Sequence, residues 1–282
     1  MTAGATAPEP VEFADIDWRG RRVRIEYEWI GRERSDAPAL VFLHEGLGSR
    51  SMWREFPRAL CDAGGCRGLV YSRPGYGRST PRAAHERWGA DFMHRQALEV
   101  LPALRKELGI ERPLWLFGHS DGASIALLHA AHFPQTVAGT VLLSPHLFVE
   151  PLSVQSIRLA RANYLGGTDL RQRLARHHDD VDSAFWGWND IWLDPAFLSW
   201  NIEDELTRIR CPLLAIQGLD DEYGTLEQIH CIQRALPAAR LLELPECHHS
   251  PHRDQAEAVI RATVDFIAAM RRSGADQGPR PR

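Results

Sequence analysis

The chain has 282 residues, 44% of them hydrophobic and 25% charged, which fits one large α/β domain carrying an insertion or two small domains. Its net charge of −4 leaves no basic excess to follow a phosphate backbone, and no Lys/Arg run interleaved with aromatics stands out, so nucleic acid is not an expected partner. The opening MTAGATAPEP lacks the basic and apolar regions of a secretory signal, and no segment reaches the roughly 18 apolar residues of a membrane span; a cytoplasmic protein without membrane contact is expected.

Along the chain, Val11 to Trp18 and Arg22 to Ile30 flank an Arg19-Gly20 turn, and the second run alternates Val23, Ile25, Tyr27 and Trp29 with charged residues. That pattern predicts an antiparallel hairpin with one wet face. Six short apolar runs follow: Ala39 to Leu43, Gly68 to Tyr71, Pro113 to Phe117, Gly139 to Leu143, Pro212 to Ile216 and Leu241 to Leu244. Unbroken runs of this length suit strands buried on both faces of a parallel sheet. Between them, Met93, Ala97, Val100, Leu101, Leu104 and Leu108 share one helical face, with Pro102 predicting a kink, and Ala123 to Phe133 reads as a buried helix ending before Pro134. Alternating strands and helices imply a mostly parallel, eight-stranded α/β sheet.

The stretch from Ser144 to Pro212 is too long for a simple connection and is predicted to be a helical insertion after the sixth strand. It holds Trp186, Trp188, Trp192 and Trp200, four of the nine tryptophans. Its rings either glue the insertion to the body or line an apolar pocket, and Trp186, Trp188 and Trp192 are the candidate substrate-contacting residues. The expected organisation is a core of 1–144 and 206–270, a cap of 145–205, and a frayed Gly-, Pro- and Arg-rich tail over 271–282. The cysteines Cys61, Cys66, Cys211, Cys231 and Cys247 are odd in number and never spaced CxxC, which suits reduced thiols.

The chemistry is carried by WLFGHSDG, Trp115 to Gly122. It places GxSxG, Gly118-x-Ser120-x-Gly122, directly after a buried strand and before a helix. A serine on such a bend stands over the helix amino terminus, where backbone N–H groups favour developing negative charge. A hydroxyl is a poor nucleophile near neutrality, so it needs a base, and the base needs an acid to fix its tautomer. Loops after the last two strands offer both, in QGLDDEYGT and PECHHSPH.

From FLHEGLGS through YSRPGYGRS and GHSDG to these two loops, the chain resembles the α/β-hydrolase superfamily, which shares the order Ser, Asp, His. The resemblance implies Ser120 as nucleophile, and it maps a GxxD acid onto Asp221 and a GHS-like histidine onto His249, with Asp220 and His248 as the adjacent alternatives. His252 is read as a structural or pocket residue. HEGLGS resembles the family's HGxxG oxyanion loop, with Glu45 where glycine is usual. It implies backbone donors at Gly46, with Leu47 as second choice, and at Asp121 behind the nucleophile. The Glu45 carboxylate is expected to be solvated; pairing with an arginine such as Arg73, or polarising a pocket water, are the alternatives. YSRPGYGRS resembles a family turn and is read as structural.

No cofactor is implied: HHxxH within one loop is a weak metal signal, and GxGxxG does not follow the first strand. The expected partner is a small-molecule substrate, and a homodimer is left open. The expected activity is hydrolysis of a small to medium carboxylic ester, with lactone or thioester as variants. The alternatives are carbon–carbon bond hydrolysis of a ring-cleavage product, or a ligand-binding protein on the same fold without catalysis.

Overall fold

A computed structural model of the chain describes residues 11–83 and 85–276. Its eight strands form one sheet in the order β1-β2-β4-β3-β5-β6-β7-β8. The hairpin is β1 (Glu12–Trp18) and β2 (Arg21–Ile30), paired antiparallel from Glu12–Tyr27 to Trp18–Arg21. Arg19 and Gly20 both take positive φ, 56° and 71°, the two left-handed positions of a tight turn that follows the strands' twist. β2 also pairs antiparallel with β4 (Arg67–Tyr71), and every later pairing is parallel: β3 (Ala39–Leu43), β5 (Leu114–His119), β6 (Val137–Leu143), β7 (Leu213–Gly218) and β8 (Arg240–Leu244).

Because side chains alternate along a strand, each central strand feeds two cores. In β3, Val41 and Leu43 join one cluster while Leu40 and Phe42 join the other. The second face is covered by α1 (Phe56–Gly64) and by α10 (Ala256–Asp276), which supplies Val259, Phe266 and Ile267. The opposite face carries α2 (Phe92–Arg95), a π turn at Gln96–Val100, α3 (Leu101–Glu107), α4 (Asp121–His132) and α8 (Glu227–Ala235). The π turn ends beside Pro102, whose ring and missing N–H disturb the helical ladder there, so the expected irregularity takes this form.

Between β6 and β7 the chain forms α5 (Pro151–Leu165), α6 (Leu170–Leu174), α7 (Val181–Trp192) and two short 3-10 turns. α9 (Pro251–Asp254) follows the last sheet loop.

Two expectations are corrected. β8 is an edge strand in which only Leu244 is buried, while Leu241 and Leu242 are partly buried against opposite cores, so its two faces are covered less completely than expected. The frayed tail expected from 271 does not hold for 271–276, where α10 continues through Asp276; 277–282 lie outside the described residues. Among the described residues, no helix is long and apolar enough to cross a membrane.

Candidate active site

Ser120 sits at the junction of β5 and α4 with φ 54° and ψ −121°, a conformation that L-residues adopt at a cost. The two motif glycines make the bend sterically possible. A Cβ on Gly122 would stand 1.9 Å from the carbonyl oxygen of Leu43, and one on Gly118 would stand 2.4 Å from that of Gly122. α4 therefore packs directly on β3 and β5, with the hydroxyl projecting at the strands' carboxyl end.

The hydroxyl of Ser120 lies 3.0 Å from His249 Nε2, and His249 Nδ1 lies 2.8 Å from Asp221 Oδ1. Asp221 follows β7 and His249 follows β8. Gly218, at the end of β7, lets the two loops close together, since a Cβ there would meet the Cys247 carbonyl at 2.0 Å. Asp221 Oδ1 also accepts from the N–H groups of Tyr223 (2.9 Å) and Gly224 (3.3 Å), and Oδ2 accepts from Gln217 at 3.2 Å. The main chain of His249 is held as well. Its N–H donates to Glu222 at 3.1 Å, and its carbonyl accepts from His119 Nε2 at 2.7 Å. The adjacent alternatives lie elsewhere: Asp220 is exposed, and exposed His248 faces Asp254.

Burial opposes charge on both partners, and their mutual attraction outweighs it. The Asp221 carboxyl is lowered to about 2 and the His249 imidazole is raised above its usual value, helped by the charges of Glu222 and Glu45. A base must be neutral to take a proton, so kcat/KM should fall on acidification through a midpoint above that of an ordinary histidine. Asp221→Asn removes the main raising influence, and the residual activity of that variant should keep its acid limb to a lower pH. Profiles of kcat/KM against pH for both proteins check this; an unmoved limb would dissociate Asp221 from the titration.

A cavity of about 170 Å³ opens beside Ser120, walled by Gly46, Leu47, His146, Ile157, Trp188, Trp192, Tyr223 and His249, with Glu45, Asp121 and Glu222 as its carboxylates. None of the hydrogen bonds among the described residues uses the N–H of Gly46 or Asp121. α7 closes this side with two rings one turn apart. Trp188 lies so close on Gly46 that a Cβ there would be 2.1 Å from Nε1, and Trp192 Nε1 donates to Asp121 Oδ1 at 3.2 Å. Burial pushes the Asp121 carboxyl up to about 6, against the pull of Arg73 and Trp192.

Trp186 does not line this cavity, which corrects the expectation. Two residues from Trp188 on a helix, it points to another face, where it meets Tyr164 and Phe185 edge-on and lies beside Arg161. The Glu45 carboxylate is only 16% exposed rather than solvated. It faces His119 Nδ1 (3.6 Å) and Arg253 (3.4 Å), and although burial alone would raise it, these neighbours hold it well below the usual carboxylate range. Arg73 reaches the Glu45 carbonyl oxygen instead, at 2.8 Å. His252 packs on Trp53 and Phe56, outside the cavity wall.

Two site residues escaped the sequence reading. His119 was visible only as a filler of the motif, and its grip on the His249 carbonyl depends on a loop far away in sequence. His146, just beyond β6, lies 4.9 Å from the Trp192 ring and 5.6 Å from that of His249, and burial drops its imidazole to about 3, so it is neutral. Among the described residues, no group of three or more His, Cys, Asp or Glu side chains is arranged to hold a metal ion.

Residues 40–262 match the model of the "Alpha/beta hydrolase family". The chain belongs to that family. This hydrolase is 25% identical over 257 residues to a 2-hydroxy-6-oxo-6-phenylhexa-2,4-dienoate hydrolase of Burkholderia cepacia, covering 82% of the chain and 87% of the relative. It is 29% identical over 259 residues to a putative carbamate hydrolase, RutD, of Pseudomonas savastanoi pv. phaseolicola, covering 84% and 96%. Among solved structures, the enol-lactonase of Burkholderia xenovorans LB400 superposes with a TM-score of 0.70 at 22% identity, covering 91% of this chain and all of that one.

Proposed function

We propose that this hydrolase is a serine esterase for small, uncharged carboxylic esters, with lactones and thioesters as close variants. The observation that carries this reading is the continuous hydrogen-bonded chain Ser120–His249–Asp221 on the wall of an aromatic cavity. Ser120 Oγ attacks the carbonyl carbon as its proton passes to His249 Nε2, and Asp221 stabilises the imidazolium. The oxyanion rests on the N–H groups of Gly46 and Asp121, where one donor is worth about 3 kcal/mol. Collapse breaks the bond to the alkoxide, which takes the proton from His249 and leaves as alcohol. Water deprotonated by the same histidine then releases the acid.

The helices between β6 and β7 are read as a cap that shapes specificity. A cavity of about 170 Å³ suits a small acyl group. A groove of about 400 Å³ shares Leu47, Glu222 and Tyr223 with it and continues along α5 past exposed Leu159. It starts beside His249, which protonates the departing oxygen, so it is assigned to the alcohol. Dienoate substrates of the kind named for the Burkholderia cepacia relative carry a carboxylate. The walls of the inner cavity hold Glu45, Asp121 and Glu222 and neither Arg nor Lys, which disfavours an anion beside Ser120 and ranks carbon–carbon hydrolysis second, with Arg173 lining only the outer groove.

A turnover screen of purified protein over p-nitrophenyl esters, lactones, acyl thioesters and a 2-hydroxy-6-oxo-dienoate tests the reading. Ester turnover exceeding that of the dienoate is expected, together with labelling by a fluorophosphonate. Faster dienoate cleavage would overturn the substrate class, and absence of labelling would favour a binding role.

The tryptophans supply a further expectation. Trp188→Ala should raise KM about ten-fold for acetate and butyrate esters and shift preference toward longer acyl chains, because it removes the cavity's ceiling. Trp186→Ala should leave the chain-length profile alone while costing on the order of 2 kcal/mol of stability. Melting temperatures beside kinetics on esters from acetate to octanoate separate the two effects.

A further inference from the structure

We propose that Arg73 is a positioning residue for the oxyanion site, its guanidinium fixing and polarising the Glu45–Gly46 peptide whose N–H faces the cavity. The proposal rests on the esterase reading, in which Gly46 supplies an oxyanion donor. A trans peptide is planar, with its C=O and N–H pointing in opposite directions. Whatever grips the carbonyl of Glu45 therefore aims the N–H of Gly46.

Two groups grip it. Arg73 Nη2 donates to the Glu45 oxygen at 2.8 Å, and His44 Nδ1 lies 2.8 Å from the same oxygen. Arg73 also sets the tautomer of His44. Its main-chain N–H donates to His44 Nε2 at 3.0 Å, which leaves the ring proton on Nδ1, where it donates to the carbonyl. His44 is fully buried, and burial together with the charge of Arg73 keeps it neutral, as this arrangement requires.

Arg73 is an odd residue to find here for stability alone. It is completely buried, its Nη1 has no hydrogen-bond partner, and among the described residues no carboxylate lies within ion-pair distance of it. Its guanidinium carbon stands 4.9 Å from the Tyr76 ring, and its charge also acts on Asp121, the residue of the second donor. A buried cation without a partnered anion costs folding free energy. In a low-dielectric site, however, it strengthens the N–H of a peptide whose oxygen it binds, and it favours negative charge developing on the far side.

The test compares Arg73→Met and Arg73→Gln with the native protein in three measurements: melting temperature, ester kinetics, and affinity for phenylboronic acid, whose adduct on the serine mimics the tetrahedral oxyanion. Arg73→Met should melt no lower than the native protein while kcat falls about 30- to 300-fold at a KM within about three-fold. Affinity for the boronate should fall by the same factor as kcat/KM. Arg73→Gln should show the same parallel loss, and it stands as the test if the methionine variant does not fold. Native kcat in a folded variant would overturn the proposal. So would a loss of kcat with unchanged boronate affinity, or an activity loss that only follows a lowered melting temperature. If the native protein turned over no ester at all, the esterase reading would fail instead, and the two failures are distinct.

Discussion

Ser120→Ala should lower kcat by about 10⁴-fold or more and leave the fold intact. The size of the effect follows from covalent catalysis. Without Oγ there is no acyl-enzyme, and only binding and the two backbone donors remain to act on a water attack. The fold should survive because alanine keeps the Cβ and the main-chain hydrogen bond from Ser120 N to the carbonyl oxygen of Leu143 on β6, at 2.9 Å. Ser120→Gly makes a sharper companion. It should be equally inactive yet raise the melting temperature, because glycine relieves a φ of 54° that costs an L-residue about 1 to 2 kcal/mol. Steady-state kinetics on a p-nitrophenyl ester, with melting curves for all three proteins, decide the matter. Comparable turnover in folded Ser120→Ala would remove the serine from the mechanism.

The second large effect concerns the base and its orienting acid. His249→Ala and Asp221→Asn should each lower kcat by about 10³- to 10⁴-fold, the first by removing the proton acceptor and the second by allowing the wrong imidazole tautomer. Their sequence neighbours provide the control. Asp220 and His248 are exposed, and neither side chain hydrogen-bonds to Ser120, His249 or Asp221, so Asp220→Asn and His248→Ala should change kcat by less than about three-fold. A ranking in which the neighbours matter more would displace both assignments by one residue.

Much of this architecture was legible in the sequence because its signals are local. The Arg19-Gly20 turn, the apolar runs and GHSDG each declare themselves within a few residues, and the spacing of the later loops follows from sheet order. What stayed hidden depends on packing between distant segments. Arg73 lies in a turn read as structural, and nothing in YSRPGYGRS shows that its side chain reaches the Glu45 carbonyl in the loop after the neighbouring strand β3. Glu45 was expected in solvent, since the approach of Arg253 and His119 comes from two other loops. The tryptophans of AFWGWNDIW look equivalent in composition, and only helix phase separates Trp188 and Trp192, which face Gly46 and Asp121, from Trp186, which faces Tyr164.

Because the α7 rings are seated on Gly46 and Asp121, the ceiling of the cavity cannot swing away without also disturbing the two residues proposed as oxyanion donors. Traffic is then directed through the wall formed by Leu47, Glu222 and Tyr223, which the cavity shares with the outer groove. In the proposed esterase cycle, the alcohol leaves through this shared wall and the water for the second half-reaction enters beside it, so the two compete there. An alcohol that lingers, or one added to the medium, is placed to intercept the acyl group before water does. On this geometry, added methanol or butanol should divert part of the flux from acid to new ester, in proportion to how well the alcohol fits the passage beside Tyr223.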